Sequence, residues 1–118
     1  MSRVTDLDAT EQRLLALLEP YREGLVEGTI YGMPSLAWPG AAKQDYLVAW
    51  KQASRQVSLY LLPVLAHPDV LEAAGEGVRA AQTGKVTFGF REVDEELAGQ
   101  LSDFLGVLAR RYRADHTG

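Results

Sequence analysis

The sequence contains no cysteine. Disulfides, thiolate nucleophiles and cysteine-ligated zinc or iron–sulfur centres are therefore excluded. Histidine is nearly as scarce: there are two, the only side chains here whose unperturbed titration lies near neutrality. There is no excess of positive charge either. Lys and Arg number 12 against 16 Asp and Glu, a formal net charge of -4, whereas a nucleic-acid partner needs a basic face to meet its phosphates. Long apolar runs are also missing. Residues 59–66 form the longest stretch, which Pro63 interrupts and which is far too short to cross a bilayer. The first residues carry Asp6, Asp8 and Glu11 and no apolar segment, so they do not read as a secretory signal. A soluble cytoplasmic protein with neither nucleic acid nor membrane as partner is the expectation.

What is present suits one small globular domain. Of the 118 residues, 47% are hydrophobic and 24% charged, enough apolar material for a single core. No repeat or linker divides residues 1–118, and the ends, 1–5 and 114–118, read as frayed.

Leu7, Leu14, Leu18, Tyr21 and Leu25 recur at helical spacing, so a first helix is predicted, capped by Thr5 or Asp8 and ended or kinked near Glu19 by Pro20. Next comes a β region. Tyr46, Val48 and Trp50 alternate with Leu47 and Ala49, and Val57, Leu59 and Leu61 with Ser58 and Tyr60. The short polar segment 52–55 between them predicts an antiparallel hairpin. Residues 27–31 and 35–38 supply two further strands around Gly32-Met33-Pro34, closed by a Pro39-Gly40 turn. His67-Pro68-Asp69 opens a second helix with apolar Val70, Leu71, Ala74, Val78 and Ala81, weakened by Gly75 and Gly77 and stopped at Gly84. Val86, Phe88 and Phe90 form a last strand. A final helix starts at the Asp94 cap and buries Leu97, Leu101, Phe104, Leu105, Leu108 and Tyr112. The predicted architecture is α+β, an antiparallel sheet of about five short strands with helices packed on one face, in the order α-β-β-β-β-α-β-α.

Few residues offer chemistry. His116 falls in the polar tail and His67 at a helix start, and no His-x-x-x-His or His-Glu pairing suggests zinc. No serine sits in a Gly-x-Ser-x-Gly elbow, although order along the chain alone does not exclude a Ser-His-Asp triad. Thr83-Gly84-Lys85 is not a phosphate loop: Arg79 stands where the earlier glycine is needed, Val86 where Ser or Thr is needed, and a strand follows instead of a helix. Asp6, Asp8, Glu11, Glu19, Glu23 and Glu27 decorate the first helix and its exit, and Glu92, Asp94, Glu95 and Glu96 open the last. Where two or three converge they can hold ferrous iron, magnesium or calcium weakly, but capping and solvation already explain most of them. Tyr31-Gly32-Met33-Pro34 is the most unusual string. With Trp38, Trp50 and Tyr60 it could line a small-molecule pocket or simply pack in the core.

Four strings occur in a familiar order: Glu27…Ile30-Tyr31-Gly32-Met33-Pro34, Tyr46-Leu47-Val48-Ala49-Trp50-Lys51, Val57-Ser58-Leu59-Tyr60 and Thr83-Gly84-Lys85-Val86-Thr87-Phe88. Together they make the chain resemble the YdhG-like family of unknown function (DUF1801), which shows an Ile-Ser-Tyr-Gly-Met-Pro string and a later Thr-Gly-Lys-Gly-Thr string. The resemblance covers most of the chain. It implies a compact α+β domain, and one member of the family is described as an iron chaperone that substitutes for frataxin. Two departures matter. The family's Lys-Lys-His before its second hairpin strand is Ala53-Ser54-Arg55-Gln56 here, so no role for that histidine carries over, and the glycine after the lysine is Val86.

The resulting expectation is non-enzymatic binding of a small ligand or metal, with catalysis left open. The candidate surface is Tyr31, Met33, Trp50, Tyr60, Lys85 and Thr87. No cofactor is identified; weak iron binding by carboxylates is the version the resemblance brings. The alternative is a protein interaction module or homodimer acting through the sheet surface, which an exposed Trp38 or Trp50 beside Leu36 would favour.

Overall fold

The computed structural model describes residues 6–42 and 44–117. The predicted fraying of residues 1–5 and the candidate cap Thr5 lie outside these residues. Helix α1 (Leu7–Leu18) is capped by Asp6, not Asp8: the Asp6 carboxylate accepts the Ala9 N–H at 3.1 Å, and Asp8 sits in the first turn. A 3₁₀ turn over Glu19–Tyr21 follows, with Pro20 at its start, where proline's missing donor costs nothing.

Strands β1 (Val26–Ile30), β2 (Met33–Ala37), β3 (Tyr46–Gln52), β4 (Val57–Tyr60) and β5 (Thr87–Phe90) form one sheet in sequence order, antiparallel throughout. The turns are those their residues dictate. Pro39 and Gly40 close a turn in which the Ala41 N–H reaches the Trp38 carbonyl at 3.0 Å, with Gly40 at φ +80°. The Ala53 N–H donates to the Gln56 carbonyl across the β3–β4 hairpin. The β2–β3 register shifts between Leu36 and Ala37, which leaves Leu47 as the extra residue of a bulge. Both Leu47 and Val48 consequently enter the main core.

After β4 come a 3₁₀ turn (Leu62–Val64) and two helices, α2 (Pro68–Glu72) and α3 (Glu76–Ala80), where a single helix is predicted from the sequence. The break is at Gly75. A Cβ there would lie 2.4 Å from the Gln100 side chain, which instead accepts the Gly77 N–H at 2.8 Å. Gly84 is no helix cap either. It belongs to the turn into β5, where Thr83 and Gly84 both donate to the Thr87 carbonyl.

Helix α4 (Glu95–Thr117) begins at Asp94, whose carboxylate accepts the Leu97 N–H at 2.8 Å. It runs on through residues 114–117, expected to be a loose tail, because its last turn is tied down by His116. Helices cover one face of the sheet: Leu14 and Leu18 of α1 and Leu101, Phe104, Leu105, Leu108 and Tyr112 of α4 meet Leu36, Val48, Trp50, Val57, Leu59, Phe88 and Phe90. The Phe88 and Phe104 rings sit 5.7 Å apart and tilted, a favourable aromatic arrangement worth about 1 kcal/mol beyond burial. Buried Thr10 ties α1 to the end of β5 by donating to the Arg91 carbonyl at 2.8 Å. No helix among the described residues is long and apolar enough to cross a membrane.

A candidate ligand cleft at the Gly-Met-Pro turn

The site starts with two residues. Tyr31 and Gly32 are the whole loop between β1 and β2, and both have positive φ, +51° and +77°. That pair of signs defines the two-residue hairpin turn whose twist matches the strands, and it favours Asn-Gly or Gly-Gly. Gly32 fits at no cost. Tyr31 does not: a left-handed backbone is unfavourable by about 1–2 kcal/mol for a residue with a Cβ. The ring it carries is 75% exposed, and its hydroxyl accepts a hydrogen bond from Gln44 Nε2 at 3.1 Å.

Pro34 then opens the sheet. β1 and β2 pair down to Ile30↔Met33, and β3 pairs with β4 out to Gln52↔Val57, but β2 and β3 pair only from Ser35↔Ala49 inward. Proline has no N–H to offer β3, and the ladder stops one residue beyond it. The gap is a cleft of about 290 Å³ lined by the turn, by Met33, by Trp50, Lys51 and Gln52 of β3, and by Glu11 of α1. Trp50 lines it from the helix-covered side and is 7% exposed; the Arg22 guanidinium lies 6.0 Å from its ring centroid and is held by Glu19 and Glu27.

Three of the candidate residues, Tyr31, Met33 and Trp50, meet at this cleft. Tyr60 and Thr87 do not; they are cross-strand partners on the sheet face away from the helices. Lys85 is exposed in the turn before β5, where its carbonyl accepts from Gln82 Nε2 at 3.3 Å. Tyr46 occupies that open face too. Burial pushes its phenol above the usual value, and the nearby Tyr31 and Tyr60 push it further the same way. Trp38 lies at the opposite end of β2, stacked on the His116 ring at 5.8 Å. Trp50 is buried, Trp38 is half-buried and Leu36 is buried, so neither tryptophan is the exposed aromatic that a sheet-face interface would use.

Both histidines are committed to partners within the fold. Both nitrogens of His116 face acceptors, the Tyr112 carbonyl at 2.8 Å and Asp45 Oδ2 at 2.6 Å. The carbonyl hydrogen bond is the main cause of its raised pKa, and the Asp45 and Asp115 carboxylates add to it against a desolvation penalty. Tyr112 completes the clasp: its hydroxyl donates to the Asp45 carbonyl and accepts the Trp38 N–H, both at 2.9 Å. His67 caps nothing with its side chain; its ring contacts Asp115 at 2.7 Å and Arg111 at 3.2 Å. Arg111 also grips Asp69 through both oxygens and holds that carboxyl below its ordinary range. Among the described residues no three His, Asp or Glu side chains are placed to hold a metal ion. A larger opening, about 360 Å³, lies between α3 and α4, but its polar walls are Glu76, Asp94, Glu96 and Gln100, and Gln100 is already spent on Gly77.

Sequence reasoning missed Glu11, Lys51 and Gln52 as cleft residues, and missed that Pro34 opens the gap. Pro34 carried the one available signal, since a proline inside a strand ends a ladder.

Fold and cleft together define a small α+β domain with one sheet face under helices and an opening at the β1–β2 turn. Its structure is similar to the crystal structure of a DUF1801-family protein, YdhG, from Bacillus subtilis, with a TM-score of 0.56 at 12% identity over 93% of this chain and 82% of that one. The chain thus has the YdhG-like fold. No protein-family model matches the sequence, and no curated protein matches it.

Proposed function

We propose that this domain is a cytoplasmic, non-enzymatic binding module that holds a small ligand in the cleft beside the Gly-Met-Pro turn. The observation that carries the reading is Tyr31, a bulky aromatic kept in a backbone conformation that asparagine or glycine would adopt more cheaply, at the turn that lines the cleft. Local strain of this kind concentrates at functional sites. Trp50 on the helix-covered side and Met33 on the open side give apolar lining, and Glu11, Lys51 and Gln52 supply a few polar groups, the usual make-up of a small-molecule site. The cleft is at the small end of the range for such sites, which favours metabolite-sized ligands. The cysteine-free composition suits the reducing cytoplasm. The test is a small-molecule screen by backbone NMR. Hits that move Gly32, Lys51 and Gln52 together support the reading, and a diverse screen that leaves them still overturns it.

The iron version of this reading would draw on surface carboxylates. Five of them already pair with Arg22, Arg111, His67 and His116, and among the described residues no three acidic or histidine side chains converge as a donor set. Ferrous iron titrated at millimolar concentration, with every acidic residue silent in the spectrum, would remove it.

A second reading, association with another copy or a partner protein, is favoured by one observation. The outer edge of β1 pairs with no strand among the described residues, and Val26 on it is 48% exposed. Sedimentation showing only monomer at high concentration would exclude self-association.

A further inference from the structure

The hairpin loop fixes which backbone groups of β1 look outward. A two-residue loop with positive φ at both positions closes on a hydrogen-bonded pair, here Ile30↔Met33. Hydrogen-bonded and non-hydrogen-bonded pairs then alternate along the ladder. Gly28 and Val26 exchange bonds with β2, while Glu27 and Thr29 turn their N–H and C=O groups towards the border that no strand among the described residues covers. Pro34 agrees with this phase: it sits opposite Thr29, where β1 asks for no donor. Borders meant to stay single usually carry a proline, a lysine or a bulge. β1 reads Val-Glu-Gly-Thr-Ile, pairs with β2 without a register shift, and has none of these. Its one charge, Glu27, is taken by Arg22.

We infer that β1 pairs antiparallel with β1 of a second copy about a two-fold axis at Gly28. The inference rests on the self-association reading and gives it a register. Centring the pair on Glu27 would set that carboxylate against its own copy, and like charges directly opposite are destabilising. Centring it on Thr29 would oppose Glu27 to Tyr31, whose left-handed backbone cannot continue a ladder. Centring it on Gly28 joins Glu27 to the partner's Thr29 in both directions, so every outward N–H and C=O of these residues is used. Each Glu27 then faces a hydroxyl on the helix-covered side. On the open face Val26, 48% exposed, meets the partner's Ile30, and Tyr31, 75% exposed, comes beside the partner's Leu25.

Because the chain has no cysteine, single introduced thiols report the register. Gly28→Cys puts two thiols across the axis, on Cα atoms about 4.5 Å apart and within disulfide reach. A Cβ at position 28 meets only Ser35 Oγ, at 3.7 Å, so the exchange fits the fold. Val26→Cys would lie about 14 Å from its copy, out of reach. Oxidation is expected to yield a covalent dimer from Gly28→Cys and none from Val26→Cys. Sedimentation of the native protein should show dimer, and Thr29→Pro, which removes an outward N–H and spares the β1–β2 ladder, should weaken it at least tenfold. Hydrogen exchange on the native chain checks the same bonds without a substitution: the Glu27 and Thr29 amides should slow as concentration rises. Monomer at every concentration overturns this inference and the self-association reading together. A dimer that cross-links equally through both thiols, survives Thr29→Pro intact, or leaves those two amides exchanging freely overturns the β1 pairing alone.

Discussion

His116 Nε2 lies 2.6 Å from Asp45 Oδ2, joining the last turn of α4 to the loop that leads into β3. The neighbouring residue in that loop, Gln44, donates to the Tyr31 hydroxyl. One imidazole thus secures the end of the longest helix and, through Asp45 and Gln44, is linked to the Tyr31 hydroxyl. Because the folded-state pKa of His116 is raised, its contribution to stability is complete below about pH 6.5, the unfolded value. It is lost as pH climbs through the higher folded value. The melting temperature should fall across that window in the native protein and stay flatter in His116→Phe. An identical slope in both proteins would exclude His116 as its source.

Tyr31→Asn should stabilise the fold, by about 1 kcal/mol, since asparagine tolerates the left-handed turn that tyrosine resists. That corresponds to a rise of about 4 °C in melting temperature. The same substitution should abolish ligand-induced change in Trp50 fluorescence, read in a Trp38→Phe background. A variant that is more stable yet still binds would separate the strain from the site.

Pro34→Ala restores an N–H opposite β3. The β2–β3 ladder is then free to close by a further rung, narrowing the cleft. Hydrogen exchange should show the new amide of residue 34 protected, and ligand affinity should drop without loss of melting temperature. Rapid exchange at residue 34 would show that something other than the missing donor keeps the strands apart.

Gly75→Ala and Gln100→Ala act through one contact and should not add. Alanine at position 75 displaces the Gln100 side chain from its bond to the Gly77 N–H, so in the native background it costs about 1 kcal/mol, as Gln100→Ala does. With Gln100 already removed, Gly75→Ala should instead stabilise by about 0.5 kcal/mol, because it restricts the unfolded chain. Denaturant melts of the four proteins measure this reversal of sign, and additive effects would contradict it.

The strands, the Pro39-Gly40 turn and the Asp94 cap were legible in the sequence because each depends on residues within a few positions of one another. The two-helix break at Gly75 was not: its cause, Gln100, belongs to a helix that follows the next strand. Likewise Asp115 and His116 read as a tail because their partners, His67 and Asp45, lie far back in the chain. Tyr31, Met33 and Trp50 were recognisable as an unusual aromatic and Gly-Met-Pro set, but Tyr60, Lys85 and Thr87 joined that set through the strings that carry the family resemblance, which say nothing of spatial neighbourhood. Register places Tyr60 and Thr87 on the open face. Glu11 was legible only as a helix-surface acid, since nothing in a local pattern tells which strand end a helix will face.

The two borders of the sheet are not equivalent. Beyond β5, the segment 81–83 already occupies the ladder: the Gly89 N–H reaches the Ala81 carbonyl at 2.9 Å, the Thr83 N–H reaches the Thr87 carbonyl at 2.8 Å, and Gln82 bridges to Phe88. Beyond β1 there is no such cover among the described residues. Growth by strand addition is therefore one-ended. Two molecules that join head to head through β1 consume the sticky border of both, so assembly terminates there and cannot propagate into a filament.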